Sequence, residues 1–416
     1  MREPTNRLAL AAAALGALLL VACAWQKPKP APYSPLILIS IDGYRADYIE
    51  RGLSPNLAAL AREGVRAQAL KPAFPTLTFP NHYTIVTGLY PDHHGIVNNR
   101  MLDPASGKRF VSSDPALASD PLWWGGEPLW VAAERQGKHT ATMFWPGSDY
   151  AIAGVRPEFW KSFDRSVSAN DRVEQVLQWL DLPAGRRPDF ITLYFDQVDH
   201  EAHDFGPDAT ETNAAITSVD TALAHLLAGL EQRHLRDAAN LVIVSDHGMA
   251  ATSTDRTIAL DDLVDLRDVD TLEVGVLTGL AAKPKHELEV EHVLLAPHPH
   301  MSCWRKEQMP PRLHYGANPR IPPLLCLAED GWTISTRDAL EHADHEKHRG
   351  EHGYDNDDPN MRALFVAHGP AFRHGLVVPE FDNVDVYPLL TRVLGIRAAP
   401  NDGNFSVVAP LLEAGR

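Results

Sequence analysis

Six side chains in this sequence have the types and spacing of a divalent-metal centre. Asp199 and His203 stand four apart in Asp199-His200-Glu201-Ala202-His203. On a helical turn residues i and i+4 share a face, so both can reach one ion. Alone, that spacing is better explained by a surface acid and a surface histidine. Asp246-His247 directly follows the apolar run Leu241 to Ser245. A charged pair at the end of a strand is either a ligand pair or a hydrogen-bonded turn. Asp42-Gly43 follows the run Leu36 to Ile41 in the same way. His352, in Gly350-Glu351-His352-Gly353-Tyr354, is uninformative alone. Together, three carboxylates and three imidazoles suit Zn²⁺ better than Ca²⁺ or Mg²⁺, which prefer all-oxygen shells. Three donors per ion leave the open position that catalysis requires. Thr78 lies in Pro75-Thr76-Leu77-Thr78-Phe79-Pro80-Asn81. Pro80 fits the first position of a helix running to Gly88, which puts Thr78 just before it. The N–H groups and dipole of a helix start favour an anion there. A threonine hydroxyl is a poor nucleophile at neutral pH, and coordination to Zn²⁺ lowers its pKa. Without the metal ligands, Thr78 reads better as a helix cap.

The elements that must position these groups are legible as alternation. Leu36 to Ile41 ends in Asp42, Phe190 to Phe195 leads to Asp196 and Asp199, and Leu241 to Ser245 leads to Asp246. Continuous apolar runs of this length predict strands covered on both faces. A fourth candidate, Ala363 to Ala367, precedes Gly369-Pro370. Helical patterns lie between: one opened by Ser54-Pro55, with a capping serine, and closed by Gly64, then Val173 to Leu180 and Ala214 to Leu230. This predicts a three-layer α/β/α sandwich with a mostly parallel central sheet. Ligands gather outside the carboxyl ends of such strands, which is where the acids fall. Residues 256–340 are rich in Pro and His and break the rhythm, reading as an inserted cap subdomain between core segments 36–255 and 341–416. No internal repeat or low-complexity tract is present.

The chain has 416 residues, 44% hydrophobic and 22% charged, with a net charge of −16. That excludes a disordered polyelectrolyte, a collagen and a membrane bundle. An acidic surface argues against binding a nucleic-acid duplex, but a metal can invert the charge around a small phosphate substrate. Arg2 and Arg7 precede an apolar run from Leu8 to Ala22. It is shorter than the about 20 residues of a membrane span and fits an export signal. Its end, Leu20-Val21-Ala22-Cys23, resembles a bacterial lipobox, with removal of residues 1–22 and lipidation of Cys23; an ordinary signal peptide with an incidental cysteine is the alternative. Ala24 follows rather than an inner-membrane retention residue, so the expected location is the periplasmic face, as an outer-membrane lipoprotein. Residues 23–35 carry Pro28, Pro30, Pro32 and Pro35 and read as a semi-rigid tether. In an oxidising compartment Cys303 and Cys326 are expected to form a disulfide, the alternative being two buried thiols.

Seven segments in chain order resemble one family. They are Ile41-Asp42-Gly43-Tyr44-Arg45, Phe74 to His82, Thr87-Gly88-Leu89-Tyr90-Pro91, His94 to Asn99, Trp145-Pro146-Gly147-Ser148, Ser245-Asp246-His247-Gly248-Met249 and Gly350 to Asn356. They look like those of the nucleotide pyrophosphatase/phosphodiesterase family of the alkaline phosphatase superfamily, here as a bacterial exported member. The resemblance implies two Zn²⁺ per chain, one held by Asp199, His203 and His352, the other by Asp42, Asp246 and His247. It implies Thr78 as the nucleophile bridging the ions, and Asn99 as donor to a phosphate oxygen. Phe79 and Phe163 match positions that sandwich a nucleobase, and Tyr194 matches a tyrosine near the phosphate. One departure is Gln197-Val198-Asp199, where the family often has Glu-Pro-Asp.

The implied reaction cleaves a phosphodiester or pyrophosphate bond of a nucleotide through a phospho-threonine and releases a nucleoside monophosphate. A lysophospholipid-type diester, or a phosphonate or monoester as in other superfamily members, is the alternative substrate. Diester preference is expected because only Asn99, and no matched arginine, faces the third phosphate oxygen. The absence of a Cys-x-Pro-x-Arg or Ser-x-Pro-x-Arg stretch argues against a sulfatase. A catalytically dead surface lipoprotein would have lost a ligand or the nucleophile, and all are present. The expected partners are a small nucleotide and, through Cys23, a lipid bilayer; no feature specifies an oligomeric state.

Overall fold

In the computed structural model residues 33–342 and 349–415 are described, so the export signal, Cys23 and the tether as far as residue 32 lie outside the described residues. The chain lays down strands β1 (Leu36–Ile41), β2 (Val65–Ala67), β3 (Thr140–Met143), β4 (Phe159–Lys161), β5 (Phe190–Phe195) and β6 (Asn240–Val244). An excursion contributes β7 (Val269–Glu273), β8 (Leu277–Ala282), β9 (Met301–Arg305) and β10 (Leu324–Ala328) before β11 (Phe365–His368) and β12 (Leu376–Val378). The main sheet has the order β12-β2-β11-β6-β1-β5-β3-β4. Within it only β11 runs against its neighbours, pairing antiparallel with β6 and β2. Every residue of β1, β5 and β6 is buried, as strands covered on both faces require.

One helical layer packs α1 (Pro55–Glu63), α4 (Ala169–Leu180) and α5 (Gln197–Phe205) around the long α6 (Thr210–Gln232). The other packs α2 (Thr78–Thr87) and α3 (Leu129–Arg135) against α7 (Val386–Leu394). Burying each large core side chain, such as Phe74, Tyr83 or Trp130, contributes about 1.5–3 kcal/mol. Ser54 stands at the cap position of α1 but makes no capping bond; its hydroxyl pairs with Tyr44 at 2.6 Å. The cap is supplied by Asp220 of α6, whose carboxylate accepts from Leu57 N at 2.9 Å and Asn56 N at 3.2 Å. A charged acceptor from a packed neighbour satisfies the same orphan donors and ties the layer together.

The excursion forms its own antiparallel sheet, β7-β8-β10-β9. Cys303 and Cys326 sit directly opposite on β9 and β10 and form a disulfide. Tyr315 anchors this region to the core, its ring 5.2 Å from Phe74 and its hydroxyl donating to Val97 O at 3.0 Å. Register sets the site: Ser40 lies level with Tyr194 and Val244, so β1, β5 and β6 release Asp42, Asp196 and Asp246 at one edge of the sheet. Among the described residues no helix is long and apolar enough to cross a membrane.

Candidate active site and metal centre

Two triads of donor groups form at that edge. Asp42, Asp246, His247 and His352 are buried, while Asp199 and His203 are partly exposed; within the triad of Asp42, Asp246 and His247 and that of Asp199, His203 and His352 the donor atoms lie within 4.8 Å of one another. Gly43 makes the convergence possible. It adopts φ +66°, and a Cβ there would meet the Asp199 Cα at 2.9 Å, so only glycine lets the end of β1 pass the start of α5. Its N–H donates to Asp246 Oδ1 at 3.2 Å.

The three imidazoles are wired alike. His203 Nδ1 donates to Gly350 O at 2.8 Å, His247 Nδ1 to Gly248 O at 2.9 Å and His352 Nδ1 to Thr76 O at 2.8 Å. A carbonyl only accepts, so each proton is fixed on Nδ1 and each Nε2 presents its lone pair. Those Nε2 atoms face carboxylates: His247 lies 3.0 Å from Asp246 Oδ2 and 3.5 Å from Asp42 Oδ1, His203 3.5 Å and His352 3.8 Å from Asp199 Oδ1. Asp42 Oδ1 and Asp199 Oδ1 are buried and accept no hydrogen bond, and buried Asp246 Oδ2 meets only the imidazole nitrogens of His247 and His82. Lone pairs facing lone pairs in a low-dielectric site are costly unless a cation stands between them. The donor set therefore fits divalent ions, with backbone carbonyls orienting each imidazole. The triads adjoin, since the His247 and His352 rings stack at 3.6 Å.

Charge crowding in the site sets the direction in which each group's proton affinity moves. Burial, with the Asp246 and Asp199 carboxylates nearby, pushes Asp42 well above the usual carboxylate range. Burial acts to raise Asp246 too, but the His247 and His82 imidazoles outweigh it and hold Asp246 well below that range. Burial and the neighbouring His247 and His203 rings lower His352 well below an ordinary imidazole. For His203 the Asp199 and Glu351 carboxylates outweigh burial and raise it.

Thr78 does not precede α2 but is its first residue, after Leu77 at the cap position, and Pro80 is the third. Proline is tolerated there because the first turn's N–H groups have no intrahelical acceptor. Thr78 is partly buried, and its hydroxyl lies 3.2 Å from His247 Nε2. The helix start offers an anion less than expected: Pro80 has no N–H and Phe79 N is taken by Asn99 Oδ1 at 3.1 Å. That same bond fixes the Asn99 amide, and among the described residues its Nδ2 has no acceptor. Tyr194 points its hydroxyl at Asp42 Oδ2, 2.5 Å away, so it orients a carboxylate instead of standing free for a phosphate. Phe163 is 47% exposed, edge-on to Phe144 and Tyr194. Phe79 rests against Phe110 and Trp124, and the Phe79 and Phe163 rings do not touch each other. Sequence reasoning passed over Gly43, His82 and Glu351 as site groups; Glu351 Oε2 lies 3.8 Å from His203 Nδ1. The four-residue step from Thr78 to His82 was the available signal for His82.

Residues 36–355 match the family described as Type I phosphodiesterase / nucleotide pyrophosphatase. The chain is 39% identical to an uncharacterized pyrophosphatase/phosphodiesterase of Schizosaccharomyces pombe, covering 91% of this chain and 80% of that protein. It is 37% identical to ectonucleotide pyrophosphatase/phosphodiesterase family member 3 of Bos taurus and 38% identical to a venom phosphodiesterase of Macrovipera lebetinus. Those alignments cover 93% of this chain but 45% and 46% of the two relatives, so the chain spans about half their length. Among solved structures, murine ectonucleotide pyrophosphatase/phosphodiesterase 5 superposes with a TM-score of 0.87 at 33% identity, covering 91% of this chain and all of that one. An inactive threonine-to-alanine variant of the murine protein, in complex with AMP, superposes with a TM-score of 0.86 at 32% identity. With the family's pattern spanning most of the sequence and its relatives' fold reproduced, the chain belongs to the Type I phosphodiesterase / nucleotide pyrophosphatase family.

Proposed function

We propose that this chain hydrolyses phosphodiester or pyrophosphate bonds of nucleotides and releases a nucleoside monophosphate. The observation that carries the reading is partly buried Thr78 at the first position of α2, its hydroxyl 3.2 Å from His247 Nε2, whose ring stacks on His352 of the other triad. The AMP complex of the related murine protein supports a nucleotide substrate.

The donor mixture of three carboxylates and three imidazoles favours two Zn²⁺, one for Asp42, Asp246 and His247 and one for Asp199, His203 and His352. Bound there, such ions supply Lewis acidity that polarises the phosphate and lowers the pKa of a coordinated hydroxyl. Thr78 Oγ1 gives its proton to water and attacks phosphorus in line with the leaving oxygen, so one P–O bond forms as another breaks and the leaving oxygen takes up a proton from water. The resulting phospho-threonine diester is hydrolysed by water from the vacated side, restoring Thr78. Asn99 Nδ2, freed by the bond its Oδ1 accepts, donates to a non-bridging oxygen. Tyr194 and Gly43 hold Asp42 and Asp246 in place. Among the described residues no arginine or lysine forms an ion pair with Asp42, Asp199 or Asp246, which fits selection of a diester over a dianionic monoester. Half-exposed Phe163 offers a face for a nucleobase.

Hydrolysis of a chromogenic thymidine monophosphate diester beside the simple monoester, with zinc and then with chelator, tests this reading. Strong diester preference lost on chelation is expected; monoester hydrolysis would reassign the chain to a phosphatase-like activity. Export to the periplasmic face with anchoring through Cys23 is part of the proposal, and the Cys303–Cys326 disulfide is consistent with an oxidising compartment. Fatty-acid labelling lost in Cys23→Ser is the expected result, and labelling that persists counts against the anchor.

A further inference from the structure

Next to the two triads lies a buried imidazole that the proposed reaction leaves without a role. His82 is on α2, one turn after Thr78, and has no exposed surface. Its Nδ1 faces the Thr78 carbonyl oxygen at 3.0 Å and Asp246 Oδ2 at 3.2 Å. Its Nε2 lies 2.8 Å from the hydroxyl of Ser40 on β1, two residues before Asp42. Trp145 and Tyr194 clamp the ring edge-on at 5.0 and 5.1 Å. Trp145 Nε1 also donates to the His82 carbonyl at 3.1 Å.

Both atoms facing Nδ1 can only accept, so Nδ1 carries the proton. Nε2 then accepts from the Ser40 hydroxyl, which has no other partner among the described residues. This differs from His203, His247 and His352, whose Nε2 lone pairs face carboxylates. His82 has no nitrogen left to ligate anything. What it does instead is join three elements through one ring: the backbone of the nucleophile's residue, the carboxylate at the end of β6, and β1.

We propose that His82 is a positioning residue, holding Thr78 and Asp246 in register through a shared N–H while Ser40 pins the ring to β1. The inference rests on the reading of Thr78 as nucleophile and Asp246 as cation ligand. Those two groups arrive on separate elements, and a misplacement of 1 Å between reacting groups costs about 100-fold in rate.

Three full-chain variants test it. His82→Asn places an amide N–H near the Nδ1 position, His82→Gln places one near Nε2, and His82→Ala removes both. For each, kcat and KM on the chromogenic thymidine diester, zinc affinity by competition with a chelating dye, and thermal melting are measured. His82→Asn is expected to keep kcat within about tenfold, whereas Gln and Ala lose about 100-fold with KM little changed. Zinc affinity at one site should fall about 10–100-fold in Gln and Ala, and less in Asn. If all three variants melt earlier but keep wild-type kcat, or if Asn and Gln cannot be told apart in kcat and in zinc affinity, the proposal is overturned. If the wild type cleaves no diester, the functional reading fails, and the order of zinc affinities still decides the role of His82. Should the His82 variants not fold, Ser40→Ala keeps the imidazole but unties it; a several-fold loss of kcat is expected, and unchanged kcat overturns the proposal.

Discussion

The two donor triads have the same count of groups and differ in how they are built. Asp42, Asp246 and His247 leave the ends of central strands, have almost no exposed surface, and are braced by Gly43, Tyr194 and His82. Asp199 and His203 ride on α5, and His352 comes from a segment that reaches the site near the chain's end; the Asp199 and His203 side chains keep 17% and 26% of their exposure. Strand ends in a fully covered sheet allow no adjustment, whereas one turn of a surface helix does. The inner triad is therefore the more rigidly built of the two, and the outer one the more open to solvent.

Four experiments can break or sharpen this contrast. The largest effect belongs to the hydroxyl beside His247. Thr78→Ala should lower kcat by about 10⁴-fold or more while zinc stoichiometry stays at two, measured by turnover and metal analysis. Next comes the ligand contrast. Asp246→Ala strands buried His247 and His82 without their carboxylate, a loss of about 3–5 kcal/mol of stability by thermal or urea melts. His203→Ala, on the exposed side, should leave the fold intact and cut zinc to one per chain. Equal stability losses in the two variants would erase the distinction, and zinc remaining at two in His203→Ala would refute the ligand assignment. Tyr194→Phe removes the donor to Asp42, and a loss of about tenfold in kcat is expected.

The smallest effect concerns the outer side's acidic surroundings. Burial, opposed by Arg100 and reinforced by Glu351, raises Glu273 on β7 from 4.5 to about 7. Its folded form keeps a proton that its unfolded form has lost, so this group's share of stability is full below pH 4.5 and falls as pH rises through about 7. Melting temperature followed against pH should drop less over that window in Glu273→Gln than in the wild type. Parallel curves would detach the inserted sheet from the charge of the outer triad.

The sheet's centre was legible because β1, β5 and β6 bury every residue and so read as unbroken apolar runs. The flanking strands were not. Val65–Ala67 and Phe159–Lys161 are three residues long, and partners such as Ala141 opposite Phe159 make them strands. The reversed direction of β11 is likewise a property of pairing. In the site, the donors could be read from their places after strands and on a helical turn. The groups that orient them could not: Asp220 caps α1 from more than 160 residues away, and the Tyr194 hydroxyl turns to Asp42 across neighbouring strands. Such contacts are three-dimensional coincidences with no local spacing to betray them. The placement of Pro80 misled for a related reason, since its preference for a first helical position is one of several that an unsatisfied first turn permits.

The inserted sheet leaves the core at Thr257–Ala259 and returns at Thr333–Ser335, and these two segments lie side by side as a parallel pair. Its exit at Ala259 and its re-entry at Thr333 are thus one strand spacing and two residues of rise apart, about 8 Å. A loop rooted so narrowly can be lengthened, shortened or exchanged between lineages without stretching the sheet edge that carries Asp42, Asp199 and Asp246. The ligand-bearing edge and the inserted region are free to diverge at different rates, with one chemistry kept constant while the surroundings in which it meets its substrates change.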